Sequence, residues 1–260
     1  MVISRLSSFT YKDKSVKVQQ IAKELDVRYV LEGSVQKAKD RLRINAQLID
    51  ASSGHHLWAE RYDGDMNDIF DLQDQITRKI ASSLAVTLTQ DSQKNPPEAE
   101  TKNIQAYEAY LKGATIGNSL RNDVEKFVES LPWFEKAIEL DPDYNRPYAA
   151  LAETYTFGSV FGLHKKLKIS KRLAWIRGMN YLQKAMRHPT NVAYRTAARM
   201  FVAQYQHDKA IDNCMRAIEL GPNEYRSNAF MSQILQYAGK PDESFAFAER
   251  MRRADPACLY

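Results

Sequence analysis

Pro222-NEYRSNAFMSQILQYAGKPDESFAFAERMRRAD-Pro256 runs from one proline to another at a period of 34 residues and reads as two helices joined at Gly239. Met231, Ser232 and Leu235 mark the inner face of the first helix, and Ser244, Ala248 and Met251 that of the second. The same register precedes Pro222, with Tyr194, Ala197, Ala198 and Phe201, then Ala210, Cys214 and Ala217. Small residues recur where two helices touch and larger ones fill the gaps, as close packing demands.

Further back, FEKAIELDPDY closes a first unit with Phe134, Ala137 and Pro142. Tyr148, Leu151, Ala152 and Tyr155 open a second, which ends at Ala185 and Pro189. That unit is 47 residues long, 13 above the period, with the excess around FGSVFGLHKKLKISKR. Pro132 falls inside the first unit's second helix, where a kink or a delayed start is expected. The period and the spacing of Tyr148, Leu151, Ala152 and Tyr155 resemble the tetratricopeptide repeat, whose stacked helix pairs bind other proteins rather than catalyse.

The chain has 260 residues, 44% of them hydrophobic and 27% charged, with a formal net charge of +5. That is enough for two domains with real cores. No run approaches 18 apolar residues, so no membrane span is expected. Met1–Lys12 lacks the apolar core of a secretory signal, and the two cysteines, Cys214 and Cys258, imply no disulfide framework; the cytoplasm is the expected compartment. Cys214 sits at an inward repeat position and reads as a buried structural thiol.

Composition divides the chain at DSQKNPPEAETKN, a polar stretch around Pro96-Pro97. The expected organisation is an α+β domain over 1–92, a linker over 93–103 and an all-α solenoid of about four repeat units over 104–260, the second unit carrying the insertion. In the first domain, period-two alternation places Tyr29, Leu31, Gly33 and Val35 on one face. After a turn at Lys39-Asp40, Leu42, Ile44, Ala46 and Leu48 share a face; after Ser52-Ser53-Gly54 a third strand follows through Leu57, Trp58 and Tyr62. An antiparallel meander with one buried face is expected. Val18, Ile21, Ala22 and Leu25 form a helix before it; Asn67 or Asp68 caps a longer one through Ile69, Leu72, Ile76, Ile80 and Leu84.

VISRLSSFTYK and ELDVRYVLEGSVQKAKDRLRINAQLIDASSGHHLWAERYDGDMNDIFDLQDQI resemble the TolB amino-terminal-like domain of bacterial signalling proteins. In that family the domain often precedes tetratricopeptide repeats and follows a class III adenylate/guanylate cyclase or a winged-helix domain. The resemblance implies a strand and a helix ahead of Val2, so the sheet is expected to lack a strand, and an exposed edge then invites dimerisation. It implies an accessory module and supplies no catalytic residue; neither a cofactor nor a metal is expected.

Catalytic patterns are missing from the residues as well. His55-His56 on a strand point to opposite faces and cannot readily share an ion. There is no phosphate loop, dinucleotide fingerprint or nucleophile elbow. One charge feature stands apart: between Thr154 and His207 there are ten Lys or Arg, from Lys165 to Arg199, and no Asp or Glu. Without a nucleic-acid motif, this points to a solvated face or to an acidic protein partner. Arg195 and Arg199 lie four residues apart beside the packing face of their helix, a flank that lines the concave groove in the proteins the repeats resemble; there they are expected either to grip a carboxylate-bearing peptide or merely to solvate the groove. Arg226 and Gln233 in the next repeat, and Arg146, complete the candidate partner-binding residues. The expected function is a non-catalytic protein-interaction module of a bacterial signalling protein. The alternative is the regulatory part of a cyclase or transcription regulator, separated from its output domain.

Overall fold

Arg41–Asp50, strand β2, is the middle of a three-stranded antiparallel sheet ordered β1-β2-β3 in the computed structural model, with β1 at Tyr29–Ala38 and β3 at His55–Asp65. Residues 3–12, 14–83, 101–118, 123–222 and 224–256 are described. Leu84, Pro96-Pro97 and Cys258 therefore lie outside the described residues. The chain divides into two compact units, Ser7–Ala99 and Glu100–Tyr260, the second taking in Met1–Leu6. Ser4 belongs with the last repeat because its N–H donates to the Ala254 carbonyl at 2.7 Å.

In the sheet unit, β2 supplies the buried face through Leu42, Ala46 and Leu48. Trp58 closes over Ala46 and Leu48, with Tyr29, Tyr62 and Ile80 at the margin. Leu57, on the third strand, is 42% exposed. It neighbours buried Trp58 and so points to the other face, and it is the extra residue of a bulge, since Leu48 pairs with Trp58 and Ile49 with His56. His55 and His56 are both exposed on β3.

The face expected to be buried on β1 also departs from the pattern, since Leu31 is 49% and Val35 66% exposed. Helix α3, Ile69–Ser83, packs on β3 and β2, and its cover stops short of those residues. Helix α2, Val18–Leu25, meets β1 and buries Ala22 and Leu25; the short α1 is Arg5–Phe9. The entry to α3 is capped one turn earlier than expected. Asp65 and Asp68 form a reciprocal capping box around a 3₁₀ turn at Met66–Asp68.

The second unit is a series of helix pairs: α4 (Ile104–Asn118) with α5 (Val124–Leu140), α6 (Asn145–Gly158) with α8 (Lys171–Ala185), α9 (Asn191–Ala203) with α10 (His207–Leu220), and α11 (Tyr225–Tyr237) with α12 (Pro241–Ala254). This is a tetratricopeptide-type arrangement. The 13 extra residues of the second pair hold α7, Leu163–Lys166, whose Leu163 is fully buried. Helix α5 runs unbroken through Pro132, which lies on the exposed side, where water can satisfy the freed carbonyl.

Two glycines set the helix spacing. A Cβ on Gly113 would meet the Phe134 ring at 2.8 Å, and one on Gly178 would meet Thr156 Cγ2 at 2.6 Å. Close approach of α4 to α5 and of α6 to α8 needs the missing methyl. Thr101 and Asn103, at the end of the stretch read as linker, are fixed to the first pair. Thr101 Oγ1 donates to Asp141 Oδ2, and Asn103 Nδ2 to the Leu140 carbonyl at 2.8 Å.

Candidate functional site

Three first helices, α6, α9 and α11, lie in sequence and share one face. Repeat register explains what they present there. Tyr148, Tyr194 and Asn228 are equivalent positions, which makes Glu153, Arg199 and Gln233 equivalent as well, and likewise Arg146, Val192 and Arg226.

Arg195 falls at the position of Ala149 and Ala229, between helices rather than on the open face. Its side chain is 2% exposed. Its Nη2 donates to Glu153 Oε1 at 2.9 Å and Oε2 at 3.1 Å, and its Nε to Glu153 Oε1 at 3.3 Å. Nη1 donates to Glu224 Oε2 at 2.7 Å. Glu224 is at the same time the cap of α11, accepting from the N–H groups of Arg226 at 3.1 Å and Ser227 at 2.9 Å. One guanidinium thus ties three successive repeats together. This corrects the expectation that Arg195 grips a peptide, for its charge is already spent inside the protein.

The electrostatics agree. Burial alone would push the Glu153 carboxyl up, but Arg195, Arg226 and Arg199 outweigh it and hold it below its ordinary 4.5. Burial likewise opposes the charge on Arg195, and Glu153 and Glu224 reverse the balance to keep it protonated.

Arg199, one turn further along α9, is different. Its Cζ lies 4.2 Å from the Phe157 ring centroid and 4.4 Å from that of Phe230. Its Nε is sealed from solvent and has no hydrogen-bond partner. Desolvation pulls its pKa down to about 10, with repulsion from Arg195 and Arg226 adding to the effect against Glu153, so it stays a cation at neutral pH.

Arg226 is partly buried and donates Nε to Tyr225 Oη at 3.0 Å. Gln233 and Arg146 are exposed on α11 and α6. The structure therefore brings Arg195, Arg199 and Arg226 into one cluster and adds residues that sequence reasoning missed: Glu153, Glu224, Phe157 and Phe230. A signal existed for the burial of Arg195, because both equivalent residues are alanines.

The basic run does not form one surface. Arg195 is internal, Lys166 pairs with Glu125, and Arg177 and Lys184 lie over the Tyr155 and Tyr148 rings at 5.9 and 5.4 Å. Cys214, on α10 behind the cluster, is fully buried, and desolvation pushes its thiol up to about 12. Among the described residues no three His, Cys, Asp or Glu gather to hold a metal, and no helix is long and apolar enough to cross a membrane.

The fold and this shared face define a helical-repeat protein with a small α+β unit. No protein-family model matches the chain. Over 151 residues it is 39% identical to the putative adenylate cyclase 3 of Rhizobium meliloti (strain 1021), a match covering 58% of this chain. The chain spans only 25% of that relative's length. The crystal structure of MamA protein is similar with a TM-score of 0.30 at 18% identity, over 57% of this chain and 82% of that one.

Proposed function

We propose that the repeats are a non-catalytic docking surface of a bacterial signalling protein, on which an acidic segment of a protein partner lies along α6, α9 and α11. One observation carries this reading. The shared face holds two guanidiniums, of Arg199 and Arg226, that pair with no carboxylate among the described residues, while Glu153 and Glu224 are engaged internally by the buried Arg195. A positive charge set among aromatic rings attracts an acidic partner. The test is retention of the full chain on a panel of Glu- and Asp-rich peptides against the same peptides with Gln and Asn. Preferential retention that weakens as salt rises is expected, and equal retention on both panels would count against it.

A second reading is regulatory: the chain is the part of a larger cyclase that gates its output. The identity to a protein named as a putative adenylate cyclase supports this. A cyclase-coding segment in frame upstream of Met1 is the expected finding, and a promoter in its place would speak against it. Neither reading makes this segment the catalyst, so formation of cyclic AMP from ATP by the purified chain would overturn both. For the sheet unit, the exposed Leu31 and Val35 on edge strand β1 favour pairing with a second copy. Light scattering that shows a strict monomer at all concentrations would remove that idea.

A further inference from the structure

We propose that the outer side of α7 and α8 is a docking surface for an anionic lipid bilayer, which it meets with an apolar ridge set among lysines. The inference is separate from the acidic-partner reading, which concerns α6, α9 and α11.

The ridge follows from helix geometry. Helix α8 turns Ala174, Gly178, Leu182 and Ala185 inward, all buried, and pairs with α6 along that side. Leu173, Ile176 and Met179 recur every three residues outside that side and are 39%, 43% and 43% exposed. Three large aliphatic side chains held in water on one helix lose free energy that an apolar phase would restore.

The charge around the ridge has one sign. Lys165 on α7, Lys168 in the turn after it, and Lys171 and Arg172 at the head of α8 are exposed and join no ion pair among the described residues. No Asp or Glu occurs from Tyr155 to Gln206. The carboxylates that α5 brings nearby are Glu125, which holds Lys166, and Glu135, which lies by Arg177. Three of the free cations stand against local preference. Lys171 and Arg172 fill the first turn of α8, where the helix dipole favours acids. Lys168 has a φ of 51°, a left-handed backbone that suits glycine or asparagine better.

The combination selects a bilayer. Lysines are hydrated point charges on long stems, suited to a diffuse anionic surface rather than to bidentate recognition. Their stems lie along an apolar layer while the ammonium groups reach the headgroups. An acidic protein segment or a nucleic acid would answer the cations and leave Leu173, Ile176 and Met179 in water. Acyl chains beneath anionic headgroups answer both.

Co-sedimentation of the full chain with lipid vesicles tests this. Vesicles of one part phosphatidylserine to two of phosphatidylcholine should retain the chain at low salt, and phosphatidylcholine alone should not. Lys168→Gln with Lys171→Gln should weaken retention about thirtyfold. Lys209→Gln with Lys240→Gln removes the same charge from other helices and should change it little. Ile176→Ser with Met179→Ser should weaken it about tenfold. Equal retention on the two kinds of vesicle overturns the proposal, as does equal weakening by the two pairs of lysine variants. Absence of vesicle binding, with retention on hexaglutamate that Lys168→Gln and Lys171→Gln abolish, would give this surface to an acidic protein and overturn it too. Should a double variant lose its helicity, the comparison of vesicles on the parent chain still decides.

Discussion

Arg195 and Arg199 stand one turn apart on α9 and carry the same side chain, yet they occupy opposite electrostatic situations. Arg195 is enclosed and fully paired, with Glu153 on one side and Glu224 on the other. Arg199 is enclosed by Phe157 and Phe230 and paired with nothing. The same residue type serves as a joint in one turn and as an unfilled donor in the next. What separates them is repeat register: one sits at an interhelical position otherwise held by alanine, the other on the stripe shared with Glu153 and Gln233.

The largest expected effect breaks the joint. Arg195→Met leaves the partly buried Glu153 carboxylate without its main partner; breaking a fully buried pair costs roughly 3–5 kcal/mol, so a loss toward the lower end of that range is expected. Arg199→Met removes a cation that has no carboxylate of its own, so a much smaller loss, or a gain, is expected. Urea melts followed by circular dichroism decide between them. Equal losses in the two variants would show that the two arginines do not differ in the way described.

Acid sharpens the same contrast. The Glu153 carboxyl is held below 4.5 in the folded state, so its contribution is present above that pH and drains away as pH falls through its folded value. In Glu153→Gln that proton uptake is gone, and the stability difference from the parent should shrink below pH 4.5 at up to about 1.4 kcal/mol per pH unit. A constant difference between pH 6 and pH 3 would mean that Glu153 is not the group titrating.

Gly178→Ala probes how tightly the pair α6/α8 is drawn beneath this face. The new methyl meets Thr156 Cγ2 at 2.6 Å, and Thr156 cannot easily turn aside because its Oγ1 donates to the Ala152 carbonyl at 2.7 Å. Overpacking of this kind costs about 1–3 kcal/mol, partly offset by the helix propensity of alanine. An unchanged melting midpoint would show that α6 and α8 separate freely.

Much of the fold was legible because it is written in periods. Alternation placed Leu42, Ala46 and Leu48 on the buried face, and the recurrence of Pro142, Pro189, Pro222 and Pro256 marked the helix pairs. Two things escaped. The bulge at Leu57 is a property of pairing with β2, not of β3 alone, so no pattern within the strand announces it. The candidate site was read from basic and amide side chains alone, on successive repeats, whereas its geometry pairs them with carboxylates from neighbouring repeats. Glu153 lies 42 residues before Arg195 and Glu224 lies 29 after it, so the pairing of charges depends on how the repeats stack.

The smallest effect expected concerns another ion pair between successive repeats. Lys166 on α7 pairs with Glu125 on α5, much as Arg195 pairs across repeats, but its two side chains are 54% and 59% exposed. In water such a pair gains little attraction and gives up side-chain freedom to form. Lys166→Ala should therefore leave the urea midpoint where it was, at low salt and at high salt alike. A clear loss at low salt that disappears at high salt would show that surface charge also holds the repeats together. Arg195 would then be one joint among several, and its privileged place would rest on its donor geometry rather than on burial.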